Sequence, residues 1–201
     1  MLERMSDKYD TFAQLAAAEV SGTDYRVQAV ARPGSPVIVI APHGGSIEIG
    51  TSELAQLIAG DDHSLFAFEG LKPKGRNRDL HITSHRFDHP ECLAHVERSA
   101  VVLAVHGCKG EAEIFVGGLD QELTVMLTEQ LAAAGFRASA EGHRYPGRNP
   151  LNICTRGARG RGAQLELTRD LREPAARTRI AEVVRGGLAN YVVSLPPASA
   201  L

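Results

Sequence analysis

The sequence predicts an α/β fold: a single domain over residues 1–201, with a mixed, mostly parallel sheet covered by helices on both faces. Three observations predict it. Residues 37–41 (Val-Ile-Val-Ile-Ala) and 101–105 (Val-Val-Leu-Ala-Val) are continuous apolar runs, the pattern of strands buried on both faces. Strand-like and helix-like stretches alternate along the chain. No internal repeat or Pro/Gly/Ser-rich linker divides the 201 residues, a length that one core can serve.

In chain order, residues 11–20 carry helix formers with Phe12, Leu15, Ala16 and Val20 on one face. Residues 24–30 alternate, with Tyr25, Val27 and Ala29 set against Asp24, Arg26 and Gln28, as in a half-buried strand. Residues 32–36 (Arg-Pro-Gly-Ser-Pro) turn the chain into the central strand. That strand stops at Pro42, and His43 stands at its end. Gly44 and Gly45 permit a sharp turn and leave room beside the imidazole, and Glu48 opens the next helix. Residues 51–59 place Leu54, Leu57 and Ile58 at helical spacing, with Gly60 as the stop.

Residues 63–69 read as a strand, 72–79 as a basic turn-prone loop, 80–84 as a strand and 90–98 as a helix. The second apolar run ends in His106 and Gly107. Residues 112–116 form a strand, and 119–134 a helix with Leu119, Leu123, Met126, Leu127 and Leu131 on one stripe. A strand over 136–140 leads into a Gly/Pro/Arg/Asn-rich loop over 141–152. Residues 163–168 alternate as a strand with Glu166 near its end. From Pro174, Ile180, Val183, Val184, Leu188 and Tyr191 make a terminal helix face, weakened at Gly186 and Gly187.

Composition excludes several classes. A formal net charge of -2 argues against a nucleic-acid-binding surface. No stretch reaches the roughly 18 apolar residues of a membrane span. The charged start, Met1 to Asp10, lacks the apolar region of a signal peptide, so a cytoplasmic location is expected unless lysis releases the protein. Cys92, Cys108 and Cys154 form no spaced pair, so reduced thiols are expected rather than a disulfide framework or thiolate cluster.

His43, Glu48 and His106 are the leading chemical constellation. Two imidazoles and a carboxylate fill three zinc positions and leave the fourth open. Both histidines end apolar runs that lie side by side in a sheet, so their loops can converge, at the strand ends where open α/β sheets place ligands. The plainer alternative is that each histidine caps a strand. Glu166, between Leu165 and Leu167, is either a desolvated general base or the solvent side of an alternating strand. Arg156 and Asn152, in the Asn-Ile-Cys-Thr-Arg-Gly turn, offer donors suited to a substrate carboxylate. Lys72, Lys74, Arg76, Arg78, Arg159, Arg161, Arg169 and Arg172 add basic loops that are either anion-binding or solvated. His81, His85 and His89 imitate a helical metal site, but Ile82, Thr83 and Pro90 fit a helix poorly, leaving them as supporting or substrate-loop residues. A Cys108–His106 nucleophilic pair lacks an orienting third group.

The motifs in order are Ala41-Pro-His-Gly-Gly-Ser-Ile-Glu-Ile-Gly-Thr51, Leu80-His-Ile-Thr-Ser84 with Phe87-Asp88, Val105-His-Gly-Cys108, Val116-Gly-Gly118, Asn152-Ile-Cys154 with Arg156-Gly157, and Gln164-Leu-Glu-Leu167. This ordered set, spread from about residue 41 to 167, resembles the phage-type poly-γ-glutamate hydrolases and their bacterial relatives, zinc enzymes with a carboxypeptidase-like α/β fold. The resemblance implies Zn2+ held by His43, Glu48 and His106, Glu166 as the acid/base residue, and Arg156 with Asn152 facing substrate carboxylates. Ordinary metallocarboxypeptidases use a His-x-x-Glu pair, whereas four residues separate His43 from Glu48 here, a departure that fits the phage-type branch.

The activity this implies is hydrolysis of γ-glutamyl amide bonds in an anionic polymer or a similar acidic amide. Its rivals are a zinc amidase acting on N-acyl amino acids or cell-wall peptides, and a non-catalytic binding module for anionic polymers.

Overall fold

The computed structural model describes residues 7–196; the charged residues 1–6, part of the stretch that bears on a leader peptide, lie outside them. Seven strands form one mixed sheet: β1 (Tyr25–Val30), β2 (Val37–Gly45), β3 (Ser64–Gly70), β4 (Val101–Gly107), β5 (Glu113–Gly118), β6 (Arg137–Ser139) and β7 (Ala163–Leu167). Their order is β1-β3-β2-β4-β7-β5-β6. The pairs β2·β3, β2·β4, β4·β7 and β5·β6 are parallel, while β1·β3 and β5·β7 are antiparallel. The two apolar runs are therefore adjacent central strands, which is why they carry no polar alternation.

Helices cover both faces. On one, α2 (Thr51–Ala59), α4 (Gln121–Ala133) and α5 (Pro174–Ser194) pack on Val37, Val39, Leu103, Val105 and Leu165. On the other, α1 (Phe12–Ala18) and α3 (Pro90–Val96) pack with Phe66, Phe68 and Phe87 on Ile38, Ile40 and Val102. Each fully buried side chain of this kind stabilises the fold by about 1.5–3 kcal/mol. No helix of the described residues is long and apolar enough to cross a membrane.

Several expectations change. Residues 80–84 are not a strand: Leu80 ends a 3-10 turn (Asn77–Leu80), and no ladder partner follows. Their alternation is one of burial, with Leu80 and Ile82 in the core. The helix expected from Leu119 begins at Gln121, where the Asp120 side chain accepts the Leu123 N–H, and Leu119 stays exposed. Gly186 and Gly187 do not break α5; a Cβ on Gly187 would sit 2.5 Å from Gln130 Oε1, so the glycine is where α5 meets α4 closely. Glu48 lies in the turn before α2, ahead of Gly50, whose φ of 93° marks the left-handed N-cap.

β2 also continues past Pro42. Ala41 pairs with Ala67 but Gly44 with Glu69, so β2 carries one extra residue at Pro42-His43. Pro42 has no N–H to give a ladder, and a bulge is where a strand tolerates that loss. An extra residue reverses the alternation. His43 accordingly packs on His81 and Phe87, the side of Ile38 and Ile40, rather than with Val39 and Ala41. Gly44 and Gly45 were expected to leave room beside the imidazole, but the space they leave is taken by other groups. A Cβ on Gly44 would meet Ser52 Oγ at 2.5 Å, and one on Gly45, where φ is 60°, would meet the Gly70 carbonyl at 2.7 Å.

Candidate metal centre

The carboxyl ends of β2, β4 and β7 open onto a cleft of about 540 Å³ whose floor is His43, Glu48, His106 and Glu166. His106 and Glu166 are register partners on adjacent parallel strands, so their side chains rise from the same face. The β2 bulge brings His43 to that face as well. Glu48 reaches back from the turn, which closes through Glu48 N–H to the His43 carbonyl at 2.9 Å and Thr51 Oγ1 to the Glu48 carbonyl at 2.8 Å.

The polar atoms converge. His43 Nδ1 lies 3.2 Å from His106 Nδ1 and 3.4 Å from Glu48 Oε1, and the possible ligand atoms of the three residues all lie within 4.8 Å of one another. His43 Nε2 donates to the Ile82 carbonyl at 2.8 Å, which leaves its Nδ1 with a lone pair. His106 Nε2 faces Ser84 Oγ at 3.3 Å, turning its Nδ1 inward. Glu48 Oε2 accepts the Gly107 N–H at 2.8 Å. Outer partners that fix ring orientation and aim nitrogen lone pairs with a carboxylate at one point fit a divalent cation. The donor set, two imidazoles and a carboxylate, fits zinc.

Charge follows this packing. Burial pushes the Glu48 carboxyl up, but the His43 charge and hydrogen bonds from both imidazoles hold it well below the usual carboxylate range. Burial disfavours charge on His43, yet Glu48 raises it overall; His106 is lowered, chiefly by burial. Glu166 is raised well above its ordinary value by burial and then by the Glu48 charge. Alternation alone left Glu166 either a base or a solvent-side residue; its carboxyl faces the cleft.

The remaining sequence candidates fall in different places. Asn152 is buried and its Nδ2 donates to Gln164 Oε1 at 2.9 Å, while Gln164 Nε2 donates to Glu166 Oε1 at 3.3 Å. It reaches the site through Gln164 and does not line the cleft. Arg156 caps the end of a 3-10 turn and is likewise outside the cleft wall. The cleft's cations are Arg172, Arg169 and Lys109. Arg159 is committed to the buried Asp120, and Lys72 to Glu19. Cys108 lines the cleft, but burial and the nearby Glu166 push its thiol up to about 12, so it is protonated and no nucleophile. His89 is buried against Phe12 and Phe66, and His85 is exposed. His81 lines the cleft and stacks on His43 with centroids 4.1 Å apart.

Comparison with known proteins identifies the family. The sequence profile of the family described as poly-gamma-glutamate hydrolase matches residues 9–180. Two Bacillus subtilis (strain 168) proteins, YmaC and YndL, are each 38% identical over 170 residues, 83% of this chain and 71% and 66% of their own lengths. A bacteriophage poly-gamma-glutamate hydrolase structure superposes with a TM-score of 0.88 at 29% identity, covering 94% of this chain and 99% of that one. A zinc-free apo structure of YndL gives 0.85 at 35% identity, covering 92% and 99%. An N-formylglutamate amidohydrolase from Ralstonia eutropha shares the fold alone, at 13% identity and a TM-score of 0.59 over 85% of this chain and 99% of that one. A family match across most of the sequence, on the fold of the bacteriophage poly-gamma-glutamate hydrolase, places this chain in the poly-gamma-glutamate hydrolase family, as a hydrolase of amide bonds.

Proposed function

We propose that the protein is a zinc-dependent hydrolase that cleaves the γ-glutamyl amide bonds of poly-γ-glutamate. The observation that carries this reading is the aim of His43 Nδ1, His106 Nδ1 and the Glu48 carboxylate at one point on the cleft floor that Glu166 shares. His43, Glu48 and His106 would hold the zinc, which would supply Lewis acidity and lower the pKa of a water to about 7. Glu166, whose desolvated carboxyl has a high proton affinity, takes a proton from the attacking water and returns it to the leaving amine nitrogen. Gln164, itself held by Asn152, orients the Glu166 carboxyl for that transfer. Arg169 and Lys109, exposed on the rim, attract the free carboxylates of an acidic polymer.

The test is elemental analysis of wild type and His43→Ala purified side by side, with hydrolysis of poly-γ-glutamate, N-acyl amino acids and muropeptides assayed on the same samples. About one zinc per chain, lost in the variant, together with cleavage of poly-γ-glutamate alone, is the expected result. Absence of stoichiometric metal after zinc is supplied would refute the mechanism, and turnover restricted to the other amides would reassign the substrate.

A further inference from the structure

Arg172 is built into the cleft wall in an unusual way. It is nearly buried, at 7% exposure, yet among the described residues no carboxylate forms an ion pair with it; Glu48 and Glu166 act on it only through space. Nη1 donates to the Ile49 carbonyl, and Nε has no partner among the described residues. Two glycines make the slot. A Cβ on Gly107 would lie 2.6 Å from the guanidinium carbon, and one on Gly50 would lie 2.7 Å from the Arg172 carbonyl and 2.8 Å from its Cβ. Gly107 is next to His106, and its N–H holds the Glu48 carboxylate. The guanidinium therefore rests on the peptide that anchors two of the three cluster residues.

A buried guanidinium without a paired carboxylate is costly unless an anion completes it. Resting on Nη1, with the cleft before it, the planar fork is preorganised for a carboxylate arriving with the substrate. The reach is short because the slot is adjacent to the cluster. In a γ-linked glutamate chain the free carboxylate sits on the carbon bonded to the scissile amide nitrogen. In an α-linked chain the free carboxylate lies three carbons from that nitrogen, at the end of a flexible arm.

We propose that Arg172 is the specificity-determining residue for γ-linkage, pairing with the α-carboxylate on the leaving side of the scissile amide. The proposal rests on the hydrolase reading of the same cleft, and it assigns to Arg172 the carboxylate contact that the sequence placed on Arg156. The pairing also holds the amide over the cluster, so its loss lowers affinity and turnover together.

The experiment separates binding from chemistry. Zinc-loaded Glu166→Gln protein is titrated calorimetrically with tri-γ-glutamate and with the same peptide carrying a carboxamide in place of the leaving-side α-carboxylate. Arg172→Gln and Arg172→Lys are then added in that background. The acid is expected to bind about a hundredfold more tightly than the amide when Arg172 is present. Arg172→Gln should reduce the preference to near unity, with zinc content and far-UV circular dichroism retained. Arg172→Lys, which keeps the charge but loses the fork, should fall between. A preference that survives Arg172→Gln, or equal weakening of both ligands, would overturn the assignment. Hydrolysis of tri-γ-glutamate by the wild type is scored separately: no turnover with an intact acid-over-amide preference would sink the hydrolase reading and leave Arg172 as the carboxylate anchor.

Discussion

Asp7 and His81, 74 residues apart in sequence, are joined by a 2.7 Å contact from His81 Nδ1 to Asp7 Oδ1. Asp7 Oδ2 accepts the backbone N–H and the hydroxyl of Thr83 at 2.7 and 2.6 Å. His81 stacks on His43, and the Ile82 carbonyl between these two anchored residues accepts the His43 Nε2 hydrogen. The segment before α1 thus holds the loop that orients a cluster histidine. Asp7→Ala removes no member of the cluster but is expected to weaken zinc affinity and activity by roughly 10- to 100-fold, the usual effect of losing an outer partner. Competition with a chelator measures this; unchanged affinity would uncouple the clamp from the site.

Metal binding should appear as stability. A ligand that binds only the folded state adds about 4 kcal/mol at a thousandfold excess over its Kd. The wild-type melting temperature is expected to rise with zinc and fall with chelator, while His43→Ala responds to neither. A zinc response preserved in His43→Ala would exclude this histidine as a ligand.

Glu166→Gln should retain zinc and lose roughly 10²- to 10⁴-fold in kcat, the contribution typical of a positioned acid/base group. The base works deprotonated, and burial followed by the Glu48 charge raises its pKa well above the ordinary 4.5. Activity is therefore expected to decline, as pH is lowered, well above the ordinary carboxylate range. A pH–rate profile with its acid limb at an ordinary carboxylate value would contradict the assignment.

Acid should release the amino-terminal segment. Burial opposes ionisation of Asp7, but the Thr83 and His81 hydrogen bonds bring it down from 3.8 to about 2. Burial likewise opposes Glu19, and Lys72, Tyr9 and Lys8 bring it from 4.5 to about 2. Both folded values are depressed, so the stabilisation is fully present above the unfolded values and is lost as pH falls towards about 2. Hydrogen exchange should show residues 7–20 losing protection first over that window; simultaneous loss in β2 and β4 would refute a local release.

A buried close approach far from the cleft provides a stability control. A Cβ on Gly162 would lie 2.0 Å from the Cys154 carbonyl and 2.7 Å from that of Val102. Gly162→Ala is expected to destabilise by about 1–3 kcal/mol in urea unfolding, because two backbones must move apart. A neutral effect would mean that the start of β4 and the Cys154 turn yield freely.

Apart from the strand expected over residues 80–84, the order of strands and helices, the Thr51–Ala59 helix and its Gly60 stop, and the convergence of His43, Glu48 and His106 were legible in the sequence, because they rest on local periodicity and on the rule that ligands gather at strand ends. Three features were not. The bulge that turns His43 onto the cleft face depends on β2 finding its register against β3, a long-range pairing that alternation cannot reveal. The side on which Glu166 lies depended on which face of β7 met His106, and the β4–β7 register puts it on the cleft face. Which basic residue lines the cleft depended on burial: Arg156 and Arg172 are equally basic in the sequence, but of the two only Arg172 is seated between Gly50 and Gly107 in the cleft wall. Sequence by itself determined which residue types stand at the strand ends, since side-chain type and strand-end position are local properties. Tertiary structure alone decided which of them face one another, since that depends on register, bulge phase and the packing of segments many tens of residues apart.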